Sequence, residues 1–107
     1  MAYRNFRSTL SDTSSVVVEF STIRGEVVSF VVRLMLKQER GEVCVLRYDT
    51  AHGRPHLDRL DHRGRLIKKK WLLRMSFAEA LCHGIHDIKN NYETYIDQFI
   101  KAANKKA

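Results

Sequence analysis

Between residues 16 and 71 the chain repeats one pattern, a run of β-branched and aromatic residues followed by a short break carrying glycine. Few folds accept that pattern, because strands joined by tight turns pair antiparallel with their neighbours in the chain. Residues 16–23, VVVEFSTI, lead through Arg24-Gly25 into residues 26–37, where Val28, Phe30, Val32, Leu34 and Leu36 share one face. The other face mixes Val27, Val31 and Met35 with Ser29, Arg33 and Lys37, which suits a sheet open on one side to solvent or a partner. A turn at Glu39-Arg40-Gly41 precedes a third strand, residues 42–48. Gly53 and Pro55 then interrupt the ladder, since proline lacks a donor and restrains Arg54 before it. Residues 56–60 form a fourth strand, Asp61-His62-Arg63-Gly64 a turn, and residues 65–71 a fifth.

At Ser76 the period changes. Ser76-Phe77-Ala78-Glu79 has the form of a capping box, and Phe77, Leu81, Ile85, Ile88, Tyr92, Tyr95 or Ile96, Phe99 and Ala103 recur at helical spacing. Gly84 falls near that stripe and reads as a close contact of helix with sheet, while Asn90-Asn91 is where a bend is expected. Lys101, Lys105 and Lys106 suit the negative end of the helix dipole. The expected fold is therefore α+β: a five-stranded antiparallel β-meander with one long C-terminal helix packed on one face. Residues 1–15 are polar and without periodicity, so they are expected as a flexible N-terminal arm before a single domain, 16–107.

No apolar run approaches the roughly 18–20 residues that span a bilayer, and no secretory leader is recognisable, so a cytoplasmic protein is expected. Cys44 and Cys82 have no CxxC partner and lie among apolar neighbours, as free thiols do. The charge is uneven. Residues 52–75 hold eight Lys/Arg against two Asp/Glu, and so contribute six of the seven net positive charges. Such a concentration favours a polyanionic partner, RNA above all.

The segment RYDTAHGRPH places two imidazoles, a carboxylate and two guanidiniums within ten positions. That set can cleave RNA through its own 2′-hydroxyl without a metal, given a base, an acid and cations for the phosphate. The roles assigned are His52 as base, His56 as acid, Arg47 and Arg54 on the phosphate, and Asp49 orienting an imidazole, with base and acid exchangeable. The structural alternative has Asp49 capping the turn, His52 bonding the loop backbone and the arginines solvated. Arg63, Arg65, Lys68, Lys69 and Lys70 form a basic stripe for a phosphate backbone, and Tyr48 or an exposed Trp71 could stack on a base, although a large aromatic such as Trp71 is ordinarily core. Alternation sends Lys68 and Lys70 to one face and Arg65 and Lys69 to the other, wrapping a sheet edge; a basic edge also resists aggregation. Two potential metal sets, His52, His56, Asp58 and His62, and His83, His86 and Asp87, lack a recognised spacing, so neither metal nor cofactor is expected.

The run RYDTAHGRPHLD, between strand-like residues and a basic strand, resembles the TumE-like toxin group and a related small prokaryotic family. These share an Asp-Asn-x-x-His motif, here Asp49-Thr50-Ala51-His52 with Pro55-His56 after it, Thr50 replacing the asparagine. The resemblance covers residues 28–85. It implies the toxin half of a toxin–antitoxin module acting on RNA, with a helix-turn-helix antitoxin as partner. The resulting expectation is an RNA-targeting protein, extending to a metal-independent endoribonuclease and compatible with a homodimer. The alternative is a non-catalytic module holding nucleic acid or an acidic protein.

Overall fold

The computed structural model describes residues 1–105. It contains β1 (Ala2–Thr9), β2 (Ser14–Ile23), β3 (Glu26–Gln38), β4 (Gly41–Asp49), a 3-10 turn (Ala51–Gly53), β5 (His56–Leu60), β6 (Leu66–Trp71) and α1 (Phe77–Lys105). The strands form one sheet in chain order, each neighbour antiparallel. Lys106 and Ala107, the end of the expected domain, lie outside the described residues.

The meander is as expected, but with six strands and not five. Residues expected as an arm supply β1, paired with β2 from Ala2 opposite Thr22 to Thr9 opposite Ser15. Its sequence shows no alternation because an edge strand buries little on either face, and backbone pairing holds it in place. Arg7 adds a fork to Glu42, at 2.6 and 2.9 Å, and a bond to Ser15 Oγ at 2.7 Å.

Arg24 (φ 53°) and Gly25 (φ 81°) both take the left-handed conformation that a two-residue hairpin turn demands. The register then slips once: Ser21 opposes Ser29 but Thr22 opposes Val27, so Val28 is the extra residue of a bulge. Val27 consequently packs on the core and Val28 is exposed, the reverse of simple alternation. Beyond the bulge Phe30, Val32, Leu34 and Leu36 are buried as the pattern predicts.

The capping box forms. Ser76 N–H donates to Glu79 Oε1 at 2.9 Å, and Glu79 N–H to Ser76 Oγ at 3.1 Å. α1 continues without interruption through Asn90-Asn91, where a bend was expected, and Asn91 Nδ2 donates to Asp87 Oδ1 at 2.8 Å. The helix packs chiefly across β2, β3 and β4, burying Ala80, Leu81, Ile88 and Phe99 against Val16, Val18, Val32, Leu34, Leu46 and Tyr48. Each such aliphatic or aromatic side chain contributes about 1.5–3 kcal/mol when fully buried.

The closest approach is at Gly84. A Cβ there would lie 2.9 Å from Tyr48 Cγ and 3.0 Å from Cδ2, so the absent side chain is what lets the ring in. Tyr48 cannot swing aside, because its hydroxyl donates to Asp87 Oδ2 at 2.5 Å, an oxygen that also accepts from Tyr95 at 2.6 Å. Burial alone would raise the Asp87 carboxyl, but the bonds from Tyr48, Tyr95 and Asn91 outweigh it and hold the group below its usual 3.8. Burial first, and then the neighbouring Asp87, push the Tyr95 phenol up to about 12 and Tyr48 further in the same direction.

Two outcomes follow. Gly84→Val should destabilise the fold by about 2–3 kcal/mol in urea titration, since overpacking against a tethered ring exceeds any gain in helix propensity. A carboxylate lowered by folding stabilises above its unfolded value and a phenol raised by folding stabilises below its own. The stability gap between the wild type and Tyr95→Phe should therefore be constant from about pH 5 to 9 and narrow below about 4 and above about 10.

Candidate functional site

Alternation along β4 turns Tyr48 toward α1, and hence Arg47 and Asp49 toward the open side of the sheet. The register carries this across: Asp49 opposes His56, which opposes Trp71, while Arg47 opposes Asp58, which opposes Lys69. Two short rows therefore cross β4, β5 and β6 on the face without the helix. Together they make an ionic cluster.

His56 is at its centre, 1% exposed. Its Nδ1 lies 2.9 Å from the Arg54 carbonyl, which can only accept, so Nδ1 carries the hydrogen. Nε2 faces Asp49 Oδ1 at 2.9 Å and Asp58 Oδ2 at 3.5 Å. Asp49 also accepts from Ala51 N–H at 2.9 Å, capping the turn as the structural alternative supposed. Arg47 bridges both carboxylates, Nε to Asp49 Oδ2 at 3.3 Å and Nη2 to Asp58 Oδ2 at 3.4 Å. Lys69 Nζ lies 2.9 Å from Asp58 Oδ1. Neither Arg47 Nε nor Asp58 Oδ1 makes a well-directed hydrogen bond, so these two contacts are chiefly Coulombic. A guanidinium and an ammonium face the two carboxylates, and burying the acids is tolerable for that reason. Trp71 covers the edge of the cluster, its ring 5.1 Å from the imidazole and 5.2 Å from Lys69 Nζ.

Of the residues chosen from sequence, Arg47, Asp49 and His56 are brought together here. His52 and Arg54 are exposed on the adjoining turn, with His52 in the left-handed region at φ 66°. The two imidazoles are not side by side at the surface: His52 is exposed on the turn while His56 is buried. Tyr48, expected to stack on a base, is instead 2% exposed beneath α1, because the residue next to Asp49 must face the other way. Half-exposed Trp71 occupies the open face in its stead. The basic stripe divides. Lys69 joins the cluster, while Lys68 and Lys70, paired with Arg59 and Leu57, lie on the helix side. Arg63 and Arg65 belong to the β5–β6 turn, where their amides donate to Asp61 Oδ1 at 2.9 Å each. The Arg65 amide foremost holds the Asp61 carboxyl below the usual range.

Asp58 and the Asp58–Lys69 contact are what the sequence reading missed as part of this site. Their signal was the two-residue spacing of His56 and Asp58, which puts both on one face of a strand. Asp49, His56 and Asp58 also form the one group, among the described residues, whose donor atoms lie close enough to hold a metal ion, all within 4.8 Å. An imidazole fixed by a carbonyl is common in such sites, but Arg47 and Lys69 already neutralise both carboxylates and an ion would have to displace them. Of the first metal set drawn from the sequence only His56 and Asp58 are gathered, without His52 and His62, the second set is not gathered, and both cysteines are free.

Fold and site thus define an α+β domain with a bare sheet face bearing a buried ionic cluster. Residues 1–105 match the family described as Domain of unknown function (DUF7718), and the chain belongs to that family. No curated protein and no solved structure matches it. No helix among the described residues is long and apolar enough to cross a membrane.

The two histidines should separate in a stability measurement. His56→Ala empties a fully buried site and leaves the Arg54 carbonyl without its donor, and should cost about 3 kcal/mol. His52→Asn, exposed and in a conformation asparagine accepts, should stay within about 0.5 kcal/mol of the wild type in the same urea titration.

Proposed function

We propose that this protein is a small RNA-targeting protein of the toxin type, working through the open face at β4, β5 and β6. The observation that carries the reading is the pair of cations, Arg47 and Lys69, held by buried acids beside a half-exposed tryptophan. Such cations suit phosphate oxygens, and the indole offers a plane on which a base can stack. The turn alongside adds Arg54 and His52.

Cleavage is the finer claim. In it His52 takes the proton of a 2′-hydroxyl whose oxygen bonds to phosphorus, the bond to the 5′-oxygen breaks, and that oxygen takes a proton from water. Arg47, Lys69 and Arg54 stabilise the charge gathering on the phosphate, and His56 acts only by holding Asp49 and Asp58. The alternative, binding without cleavage, is favoured by the burial of His56. A cytoplasmic setting, a helix-turn-helix antitoxin and self-association belong to the toxin-like reading and rest on the resemblance of residues 28–85.

The test is labelled single-stranded RNA incubated with the protein in chelator. Binding should weaken steeply as salt rises, and Lys69→Gln should weaken it about fivefold to tenfold at fixed salt. His52→Asn should abolish cleavage while leaving the complex intact. Retention of RNA without cleavage by the wild type selects the binding reading, and absent or salt-indifferent binding overturns both.

A further inference from the structure

On the helix side of the sheet α1 packs chiefly on β2, β3 and β4, and the residues of β5 and β6 on that side form one wall of a groove. Its cations are Arg59, Lys68 and Lys70, with Tyr95 opposite them on α1. Arg59 Nη2 donates to Gln98 Oε1 at 2.6 Å, and its guanidinium stands 5.5 Å from the centre of the Tyr95 ring. Both partners are neutral, so Arg59 is held in place with its full charge uncompensated. Among the described residues no carboxylate comes within ion-pair distance of Arg59, Lys68 or Lys70, although Arg47 and Lys69 across the sheet have such partners. Asp61, which lines the adjoining cleft, is taken up by the amides of Arg63 and Arg65.

At Arg59 and Lys68 the groove opens into a cleft of about 400 Å³. That lies within the roughly 300–1,000 Å³ range of small-molecule sites. Its apolar lining comes from Val45, Leu60, Ile67 and Phe99, and its polar edge from His62, Gln98 and Asp61, whose carboxylate is occupied by the Arg63 and Arg65 amides. The bulge at β5–β6 makes the cleft possible: Arg59 opposes Lys68 but Leu60 opposes Leu66, so Ile67 is the unpaired residue and turns its side chain to the cleft wall.

We propose that this cleft and groove form a nucleotide site, with the base between Phe99 and Ile67 and the phosphate on Arg59, Lys68 and Lys70. An apolar slot with amide and imidazole at its rim suits a flat heterocycle with hydrogen-bonding edges. Three free cations leading out of it suit the attached phosphate. The site shares no residue with the open-face cluster, lies on the other side of the sheet, and stands whether or not that face binds RNA.

Adenosine 5′-monophosphate titrated into ¹⁵N-labelled protein tests it, with inorganic phosphate and adenosine titrated separately. Saturable shifts should centre on Arg59, Lys68, Gln98 and Phe99, and the nucleotide should bind more tightly than either part. Arg59→Gln with Lys68→Ala should weaken it about tenfold. Ala102→Trp, which fills the cleft from an exposed helix position, should weaken the nucleotide but leave phosphate binding unchanged. Shifts confined to the open face, a nucleotide no tighter than inorganic phosphate, or unaltered affinity in a folded Ala102→Trp variant would each overturn the assignment.

Discussion

The ring of Tyr48 lies against the bare Cα of Gly84, with its hydroxyl fixed by Asp87, and most of the molecule's asymmetry descends from that contact. A strand residue that points into the helix obliges its two neighbours to point away. Arg47 and Asp49 are those neighbours. The β4–β5 register then puts Asp58 and His56 opposite them, and β5–β6 adds Lys69 and Trp71. Helix packing on one side and the ionic cluster on the other are therefore set by one residue's parity. A one-residue slip of β4 would bury Arg47 and Asp49 under α1 and expose Tyr48, and the bulge at Val45 shows that the chain does shift register where it is permitted to.

The cluster is costly compared with an apolar core of the same volume, because each acid must leave water before its cations repay any of the loss. What it provides is geometry. His56 links two strands to the turn through the Arg54 carbonyl, and Asp49 links the same turn through the Ala51 amide. The turn that carries His52 and Arg54 is consequently tied at both ends to the sheet, despite a left-handed non-glycine residue in its middle. Thr50 contributes a third tie, accepting from the Phe30 amide at 3.1 Å, a bond that an asparagine side chain at this position could also make through its carbonyl oxygen.

The sequence was a good guide wherever a structure depends on local period. The apolar alternation from Phe30 to Leu36 and the Ser76–Glu79 cap depend on residues near one another in the chain, and each was readable; the close seat of Gly84 was readable from its place in the helical stripe, but its distant partner Tyr48 was not. β1 was not, because its stability comes from backbone pairing to β2 and its side chains record none of it. The interchange of Val27 and Val28 was hidden for a related reason, since a bulge is a property of two strands and leaves no mark on one. His56 is the instructive case. Its neighbours in sequence are a proline and a leucine at the end of a glycine-bearing loop, a context that reads as exposed. It is buried by Asp49, Asp58 and Trp71, and two of these reach it only through cross-strand pairing.

The block of positive charge in residues 52–75 reads as one patch in sequence but is divided in space. Lys69 is spent on Asp58 and Arg65 on Asp61, Arg59, Lys68 and Lys70 line the helix side, and Arg54, Arg63 and Arg74 are exposed on turns outside these groups. Neutralised and free cations differ in what they offer an anion. A side chain already held by a carboxylate has lost its rotamer freedom before the ligand arrives, so it contributes direction at little further entropic cost, while its net field is weak. A free lysine contributes field and steering but must be ordered on binding. If the two surfaces bind as proposed, the open face offers orientation and the helix-side groove attraction. As β6 is an edge strand, a phosphate chain drawn in by the second surface would then have a path of one strand's width to the first.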